Sequence, residues 1–597
     1  ASANLGSSAS VRWGERHVPV ICPDSTWLTE VINKAEDQPE TLHGLAIMTN
    51  DLGYARGKDW VVPCQRHADG SLSDVVVRHT VAVRMTLDLA RYPIVFSDLV
   101  AKLAAESPDV PMTVIESMLA ELVRQRVLLT DLQPPMTVTD PLGQLTGLDT
   151  WTGGAVGPMA VDLRLDCEVS LPPAVVREAE AAASLLVRLA PDRPGWQEYH
   201  AAFLDRYGPG GLVGVRELVD VDSGLGYPAG YRGSLNKATP TLHPRDFALA
   251  ELAQHAALNG CAEVVLDEQT LAKLTIATTG GRQGAPHTEL RFSLHAATPA
   301  ALDGGQFMLS VVSASRHAGT SVGRFLHILE PADRERFAQA YAALPTSTPG
   351  ALAVQVSCPP LSPRTHHLAR VPAVLPVLSI GEHAHPSRLG LDVDDLAVTA
   401  DAHRFYLMSL SCGCPVEPLI LHAVDLRHGV HPLARFLCEI STSRAAPCTP
   451  FFWGHAAQRF PFLPRIRSGR TVFSPARWHL TAEDLPRRDA PWGHWAQAFN
   501  DLKSNHRIPD LVQLGEDDVR IRLDLTEPAH LALLRGHLHR AGTATLTEGE
   551  AEFGWIGGRP HETAFAAPPQ TAWRRRSCRD GTRGRRWYDC AWIGLGA

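Results

Sequence analysis

The 597-residue sequence lacks several features that would place it in a particular class of protein. It has no run of about 18 uncharged apolar residues, so we expect no membrane-spanning helix and no membrane insertion. It has no G-x-x-x-x-G-K-[ST] loop, so any activated substrate must arrive already activated. Only six of its 56 basic residues are lysines, and its net charge of −8 argues against binding nucleic acid by bulk charge. The arginine excess reflects either a GC-rich genome or a use for bidentate phosphate contacts.

Cysteine and histidine follow no spacing that is typical of a metal site. The 11 cysteines are scattered, and the closest pair, Cys412 and Cys414, has no second pair nearby. The 27 histidines include no H-E-x-x-H motif. We therefore expect reduced thiols and no metal. With an N-terminus that carries no basic-plus-apolar leader, this pattern predicts a cytoplasmic protein.

The order of predicted elements favours an α+β fold of mixed sheets with helices. The length allows three to five lobes of roughly 100–200 residues each. A helix should begin after Ser25 or Thr26, where Asp24 is placed to cap the first backbone N–H groups. Other predicted elements are a strand at 11–13, helices at about 174–189 and 194–208, and strands at 263–266, 289–292 and 307–312.

One compact module is predicted between residues 60 and 133. Its elements are a strand at 74–78, helices at about 80–91, 98–105 and 113–127, and a strand at 127–129. Ser97 is a candidate cap of the second helix, and Thr113 to Glu116 form a candidate capping box for the third. This order is typical of a small winged helix-turn-helix. The mixed charge of the third helix argues against DNA and favours a peptide bound at a strand edge.

Two segments match enzyme motifs in the wrong structural context. The segment 319–323 fits the G-x-S-x-G elbow of α/β-hydrolases, but that serine must follow a strand directly, and the predicted strand ends near Val312. The segment 224–229 fits a dinucleotide-binding loop, but Pro228 forbids the helix that should begin there. We therefore expect neither a hydrolase nor a dinucleotide-binding enzyme.

Two other segments concentrate arginine beside small residues. Their arginines are Arg316, Arg324, Arg465, Arg467 and Arg470. Small neighbours let backbone and guanidinium groups approach a polyanion, whereas a basic loop in solvent would show the same composition. Both interpretations stay open on composition alone.

Taken in order, several segments resemble the glutamylation domain at the N-terminus of the lantibiotic (class I lanthipeptide) dehydratases. They are WQEYHAAFLDRYG at 196–208, ELVD at 217–220, GLGYP at 224–228, GRF at 323–325, HLARVP at 367–372, DLAV at 395–398, RFL at 435–437, FWG at 452–454, LPRIRSGRTVFSPARWHL at 463–480 and RLDL at 522–525. The resemblance covers about residues 11–565. Each segment is short, and the specificity lies in their common order.

The resemblance implies an aminoacyl transferase. Such proteins take glutamate from glutamyl-tRNA and attach it to Ser and Thr side chains of a ribosomal precursor peptide, the first half of dehydration in lanthipeptide and thiopeptide biosynthesis. A separate domain then eliminates glutamate to give dehydroalanine or dehydrobutyrine. No cofactor is implied, because glutamyl-tRNA is a co-substrate. This agrees with the missing phosphate-binding loop, since an aminoacyl ester carries its own activation.

The resemblance also implies a domain order. Residues 1–59 would begin the glutamylation domain, 60–133 would be the winged-helix element that recognises the leader peptide, 134–484 the glutamylation core, 485–568 its C-terminal lobe, and 569–597 a basic unassigned tail. Family members carry an Arg-rich segment ending in an R-x-T-P-F-G-type motif before the position of Ala1, and an elimination domain after the C-terminal lobe. The expectation is therefore a domain truncated at both ends. The alternatives are a peptide–aminoacyl-tRNA ligase and a non-catalytic leader-peptide-binding fragment.

Candidate residues follow from the resemblance together with the predicted elements. The candidate catalytic residues are Arg370, Asp205 and Asp24, with Asp205 placed to orient Arg370 or the substrate amine. The candidate tRNA-binding residues are the five arginines named above. The candidate leader-binding residues are Val75, Val76, Val77, Ile115, Leu119 and Leu122. The implied partners are glutamyl-tRNA and a leader-bearing peptide. A separate elimination protein, a cyclase and a homodimer are compatible with the resemblance.

Overall fold

The computed structural model describes residues 2–67, 70–145, 158–191, 193–237, 244–275, 284–384, 391–454, 460–515, 520–549, 553–567 and 591–595. Over these residues the chain forms several sheets with helices packed against them. The largest sheet contains both parallel and antiparallel strand pairs. The predicted α+β class with mixed sheets is confirmed.

The largest sheet has ten strands drawn from both ends and the middle of the chain. In sheet order they are Glu263–Val265, Arg465–Ser468, Thr471–Ser474, Met308–Ser315, Thr288–His295, His561–Ala567, Ala591–Leu595, Ser2–Leu5, Cys167–Leu171 and Ser10–Trp13. The helix Pro173–Arg188 packs on this sheet, because its valines, leucines and alanines form a buried apolar stripe. The strand at 591–595 lies within the predicted unassigned tail, so part of that tail joins the sheet.

A six-stranded sheet lies at the centre of a second core. Its strands, in sheet order, are Val213–Gly214, Leu396–Ala400, Phe405–Ser409, Cys414–Leu419, Leu352–Ser357 and Val377–Ser379. The helix Pro194–Tyr207 buries its aromatic side against this core and ends at Gly208, whose φ of 76° is readily adopted only by glycine. The helix Pro432–Ile440 is buried at every residue. The first of these helices was predicted within one residue.

The segment 46–130 combines helices with two small sheets. Helices Val81–Leu89, Phe96–Glu106 and Met112–Arg124 accompany a sheet of Ile94–Val95, Ala46–Thr49 and Leu128–Thr130 and a sheet of Tyr54–Arg56, Asp59–Arg66 and Leu72–Arg78. The elements match the predicted ones, but two predicted caps are wrong. Ser97 lies inside a helix that begins at Phe96, and Thr113 lies inside a helix that begins after Pro111, so neither caps a helix.

An antiparallel five-stranded sheet forms a third core. Its strands, in sheet order, are Phe462–Leu463, Arg477–Thr481, Thr543–Glu548, Leu511–Leu514 and Ile521–Asp524, and its helices are Trp492–Asn505 and Pro528–Ala541. Two of these strands precede residue 485, while His561–Ala567 belongs to the largest sheet. The sheets therefore cross the predicted lobe boundaries at 485 and 568. The strand Ala46–Thr49 likewise lies ahead of the predicted boundary at 60.

The strands Val18–Pro23 and Met159–Arg164 form a separate two-stranded antiparallel sheet, called the ribbon below. The other helices are Ser25–Glu36, Pro39–Gly44, Leu142–Leu145, Val215–Val219, Pro244–Asn259, Glu268–Thr275, Pro299–Asp303, Pro331–Ala342 and His366–Ala369. Short 3-10 helices cover Gly323–Ile328, Pro363–Thr365, Val393–Asp395, Ala482–Asp484 and Gly554–Ile556. Within the described ranges, no helix combines the length and apolar character needed to cross a membrane.

Candidate functional site

Arg370 is buried directly after the short helix His366–Ala369. Its side chain is held from the segment 135–138: one terminal guanidinium nitrogen donates to the carbonyl oxygens of Pro135, at 3.2 Å, and Val138, at 3.0 Å. The backbone N–H of Val371 also donates to Met136, at 2.9 Å. These contacts fix one end of the guanidinium. Its other two nitrogens donate to no described residue, so they remain available.

A buried carboxylate, Glu382, accompanies Arg370. One of its oxygens accepts from the backbone N–H of Met136 at 2.7 Å, and the other has no hydrogen-bond partner in the described part of the chain. Burial raises the pKa of Glu382 to about 7, and it outweighs the opposing effects of the Ser357 hydroxyl, the Met136 N–H and the charge of Arg370. Burial also lowers the pKa of Arg370 to about 10. Sequence reasoning did not find Glu382, because no local motif marks it.

Both side chains line a cavity of about 250 Å³. It lies between the helix Ser25–Glu36, the bulged strand around Cys64 and the loop 359–366. The imidazoles of His366 and His431 also face it, and burial lowers their pKa values to about 4 and about 3, so both are neutral at pH 7. The cavity therefore combines the buried guanidinium of Arg370, the lining residues Arg66 and Arg126, one carboxylate that titrates near neutrality and neutral imidazoles.

The other two candidate catalytic residues lie elsewhere. Asp24 is the N-cap of the helix Ser25–Glu36, and its carboxylate accepts from the backbone N–H groups of Thr26 and Trp27 at 2.9 and 3.0 Å. Asp205 is exposed near the end of its helix. Among the described residues it forms no hydrogen bond or ion pair with Arg370, whose acidic neighbour is Glu382. The expectation that Asp205 orients Arg370 is therefore wrong in this structure, because one residue is exposed and the other is buried.

Two of the predicted tRNA-binding arginines are already paired with carboxylates. Arg465 contacts Glu548 through two nitrogens at 2.8 and 2.6 Å, and Arg467 contacts Glu263 through two nitrogens at 2.9 and 2.8 Å. Both lie on the strand Arg465–Ser468 of the largest sheet rather than on a loop. The alternative of a basic loop in solvent is therefore wrong at these two positions, and their predicted contact with tRNA would have to compete with partners distant in sequence.

Arg470 differs from its two neighbours. It is exposed, and its guanidinium carbon lies 5.1 Å from the ring centroid of Phe307. Its backbone N–H donates to the carboxylate of Glu178 at 2.9 Å, but its guanidinium forms no ion pair with a carboxylate in the described ranges. Arg324, by contrast, donates to Asp162 at 3.2 Å and lies over the ring of Phe325. Of these two arginines, Arg470 keeps its charge free for an outside partner.

Arg316 belongs to a buried cluster around Glu439. This carboxylate accepts from Arg193 at 2.7 Å, from Arg435 at 3.3 Å and from Arg316. The hydroxyl of Tyr231 and the ring N–H of Trp196 also donate to it, so three guanidinium groups and two neutral donors face one carboxylate. We call these groups the Glu439 cluster. Its two carboxylate oxygens are fully used.

The predicted leader-binding residues divide into two groups. Ile115, Leu119 and Leu122 are 5%, 0% and 3% exposed, because they face the core beneath their helix. Their predicted contact with a peptide is therefore wrong in this structure, since these side chains are almost completely buried. Val76, in contrast, is 51% exposed on the strand Leu72–Arg78, where Val75 and Val77 are partly buried.

The strand Leu72–Arg78 is an edge strand, and in the described ranges it pairs only with Asp59–Arg66. The backbone N–H of His79 donates to the carbonyl of Lys58 at 2.9 Å. Antiparallel strands alternate between bonded and non-bonded pairs, so Val77 and Val75 bond inward and the N–H and C=O of Val76 point to the open edge. An extended peptide can pair with these groups.

The G-x-S-x-G segment is a turn and not a nucleophile elbow. Its Gly319 and Ser321 backbone N–H groups donate to the buried carboxylate of Glu289 at 2.8 and 2.6 Å. The preceding strand ends at Ser315, and Gly319 has a φ of 88°. No strand leads directly into Ser321, which agrees with the expectation from sequence.

The family model described as lantibiotic dehydratase, N terminus, matches residues 1–151 and 147–534 of this chain. The chain belongs to this family. The resemblance predicted from short ordered segments is thus confirmed. Among similar proteins, the subtilin biosynthesis protein SpaB of Bacillus subtilis is 21% identical over 570 residues, covering 84% of this chain and 53% of SpaB. The epidermin biosynthesis protein EpiB of Staphylococcus epidermidis is 21% identical over 374 residues, covering 62% and 36%.

Two solved structures share the fold. The tRNA-dependent lantibiotic dehydratase MibB from Microbispora sp. 107891 superposes with a TM-score of 0.80 at 28% identity, covering 91% of this chain and 58% of MibB. The glutamylation domain of TbtB from thiomuracin biosynthesis gives a TM-score of 0.57 at 19% identity, covering 90% and 71%. The chain thus spans between 36% and 53% of the length of the curated relatives named above.

Proposed function

We propose that this chain transfers glutamate from glutamyl-tRNA to Ser and Thr side chains of a leader-bearing precursor peptide in the cytoplasm. The observation that carries the proposal is the likeness to MibB, a tRNA-dependent lantibiotic dehydratase, over 91% of the chain with a TM-score of 0.80. The chemistry is an ester-to-ester acyl transfer: the peptide hydroxyl attacks the glutamyl ester, and the tRNA hydroxyl leaves with a proton. It needs a bound acyl group and no further activation.

The cavity beside Arg370 is the proposed site for the glutamyl group. At about 30 Å³ per water, its volume of about 250 Å³ holds roughly eight waters, comparable with the heavy atoms of one glutamyl group. Arg370, with a pKa of about 10, is protonated at neutral pH, whereas Glu382, with a pKa of about 7, is ionised in only about half of the molecules. The guanidinium charge is therefore not fully neutralised, and its two free nitrogens suit a carboxylate.

Arg470 is the proposed phosphate contact among the predicted tRNA-binding arginines. It is exposed, and its guanidinium forms no ion pair with a carboxylate of the described residues, whereas the guanidinium groups of Arg465 and Arg467 are held by Glu548 and Glu263. A paired arginine must first give up its partner before it binds phosphate, so it contributes less to affinity.

The segment 46–130 is the proposed leader-recognition element, of the winged helix-turn-helix type. Its three helices, small sheet and projecting strand pair supply the elements of such a module, and its open edge presents the N–H and C=O of Val76. A leader peptide would add there as a further strand, with main-chain hydrogen bonds supplying affinity.

The edge proposal is tested by changing one backbone group. In the full chain, Val76→Pro removes an N–H that points away from the neighbouring strand, so the fold should tolerate it while leader affinity falls at least about tenfold. Val76→Thr keeps the N–H and is the matched control. Equal leader affinity of both variants in a calorimetric titration would contradict binding at this edge.

The overall function is tested by mass spectrometry of a leader-bearing peptide incubated with the chain, tRNA, glutamate and glutamyl-tRNA synthetase. The proposal predicts glutamate on Ser or Thr side chains. Extension of a peptide end would identify a peptide–aminoacyl-tRNA ligase. Peptide binding without an adduct would identify a non-catalytic leader-binding fragment.

A further inference from the structure

Three side chains with metal-binding atoms meet beside the ribbon. The thiol sulfur of Cys22, a carboxylate oxygen of Asp162 and a ring nitrogen of His327 all lie within 4.8 Å of one another. Cys22 and Asp162 belong to the two paired strands of the ribbon, and His327 belongs to the 3-10 helix Gly323–Ile328. Asp162 lies 140 residues after Cys22, and His327 lies 165 residues after Asp162. No sequence motif of short spacing could therefore predict this group.

The imidazole of His327 is held in one orientation and one tautomer. Its Nδ1 lies 2.7 Å from the backbone carbonyl of Arg324. A carbonyl only accepts, so Nδ1 carries the hydrogen and Nε2 carries the lone pair. Nε2 is buried, has no hydrogen-bond partner among the described residues, and lies 3.9 Å from the Asp162 carboxylate. A backbone carbonyl on the far ring nitrogen is the arrangement that orients histidines for metal binding.

The carboxylate of Asp162 is oriented in the same way. One oxygen, Oδ1, accepts from Arg324 at 3.2 Å, which leaves Oδ2 directed toward His327. The Nε2 of His327 and the Oδ2 of Asp162 lie 3.9 Å apart. The lone pairs of His327 Nε2 and Asp162 Oδ2 therefore face each other beside the thiol of Cys22. No hydrogen atom lies between the nitrogen and the oxygen, so they form no hydrogen bond.

We propose that Cys22, Asp162 and His327 bind one divalent transition-metal ion of the zinc class. Sulfur, imidazole nitrogen and carboxylate oxygen are the ligand types of zinc, with bonds of about 2.0–2.3 Å that place tetrahedral ligands about 3.3–3.7 Å apart. The 3.9 Å separation of Nε2 and Oδ2 needs only a small closure to reach this geometry. Three protein ligands leave a fourth position open for water or a substrate atom.

The surrounding charges are compatible with a cation at this point. Cys22 has two carboxylates, Asp162 and Asp140, and two guanidinium groups, Arg370 and Arg324, among its electrostatic neighbours. Metal binding would release the thiol proton and add a thiolate, so the ion's two charges would be met by one thiolate and one carboxylate. The ion would cross-link the ribbon to the 3-10 helix on the side of the molecule that holds Arg370.

Cobalt titration of the untagged, chelator-treated full chain tests the site. The parent should bind one equivalent of Co²⁺ with a thiolate-to-cobalt charge-transfer band, and Zn²⁺ should displace it. Cys22→Ser should remove the band, and His327→Ala should weaken Co²⁺ binding at least about tenfold. Cys167→Ser and the double change Cys412→Ser with Cys414→Ser are matched controls that should keep it. Absence of the band in the parent, or its survival in Cys22→Ser, would overturn the proposal.

A second measurement needs no variant, in case Cys22→Ser fails to fold. The parent is alkylated with iodoacetamide with and without one equivalent of Zn²⁺, and each cysteine is followed by peptide mass spectrometry. Zn²⁺ should slow modification of Cys22 at least about tenfold and leave Cys261, which is exposed, unchanged. Equal rates at Cys22 would contradict the site. Neither cobalt binding nor cysteine alkylation depends on glutamyl transfer. A failure of the metal site can therefore be distinguished from a failure of the proposed function.

Discussion

Two buried groups in this protein combine arginine with glutamate: the Glu439 cluster and the pair of Arg370 and Glu382. The pKa values of their two carboxyl groups are shifted in opposite directions. Burial on its own would raise the pKa of Glu439, but three guanidinium groups, led by Arg316, outweigh it and hold that pKa well below its usual range. Glu382 has a single guanidinium neighbour, Arg370, so burial prevails and its pKa rises to about 7. The number of cations decides which state of a buried carboxylate is stable.

The hydrogen bonds follow the same division. Both oxygens of Glu439 are occupied by donors, whereas one oxygen of Glu382 and two nitrogens of Arg370 have no partner among the described residues. A complete network fixes structure, and an incomplete one beside a cavity leaves groups free for a ligand. We therefore assign the Glu439 cluster to stability and the Arg370 cavity to chemistry.

The largest expected effect is on the stability of the Glu439 cluster. Glu439→Gln removes the charge that three buried arginines share, and losing one side of a buried ion pair costs about 3–5 kcal/mol. The free energy of unfolding from urea titration should fall by that amount. Glu382→Gln is the matched control and should not lower the free energy of unfolding at pH 7, because burial already disfavours the ionised carboxylate there and the amide carries no charge. Equal losses would remove the distinction between the two groups.

The helices of this fold could be predicted from local sequence signals. The ion-pair partners of its charged side chains could not. The helix Ser25–Glu36 follows from the Asp24 cap, and Pro194–Tyr207 follows from a proline at its start and a glycine at its end. These signals act within a few residues. Thr113 misled the prediction of a capping box because Pro111 already precedes the helix, which therefore begins at Met112.

The candidate site depends on pairs that lie far apart in sequence. Arg370 was found from its motif, but Glu382 became visible only when residues 135–138 and 381–382 were brought together. Arg465 and Arg467 looked like a basic patch, because their partners Glu548 and Glu263 are 83 and 204 residues away. The composition of a segment gives its charge but not the partners of that charge. The proposed tRNA-binding surface could therefore not be predicted from the sequence.

The next effect concerns the pH dependence of stability at Glu382. Its folded pKa, about 7, lies above the ordinary value of 4.5, so its contribution favours the folded state below pH 4.5 and is lost as pH rises through about 7. Glutamine does not titrate. The stability of Glu382→Gln relative to the parent should therefore rise by up to about 3 kcal/mol between pH 4.5 and pH 8.5.

Urea titrations of both proteins across that range measure the difference, and the shared buried histidines cancel in it. A constant difference would show that Glu382 titrates at its ordinary value, and the comparison with Glu439 would lose its basis.

The smallest effect separates a free arginine from a paired one. Arg470→Ala should reduce the slope of log affinity for tRNA against log salt by about one unit or less, because one phosphate contact is lost. Arg467→Ala should leave the slope unchanged, since Glu263 already neutralises that guanidinium. Filter binding at several salt concentrations measures both. If Arg467→Ala lowers the slope and Arg470→Ala does not, exposure and pairing are poor guides to the tRNA surface.

The most direct test of the account is single-turnover transfer of glutamate from glutamyl-tRNA to the leader-bearing peptide by Arg370→Ala. Arg370 is a buried cation of the cavity whose charge Glu382 neutralises only in part, so its loss should slow transfer by about 10²–10³-fold while the protein stays folded. Arg188→Ala, which removes an exposed ion pair with Glu268, is the matched control and should transfer at the parent rate. Transfer by folded Arg370→Ala within threefold of the parent would contradict the assignment of the Arg370 cavity to the glutamyl group.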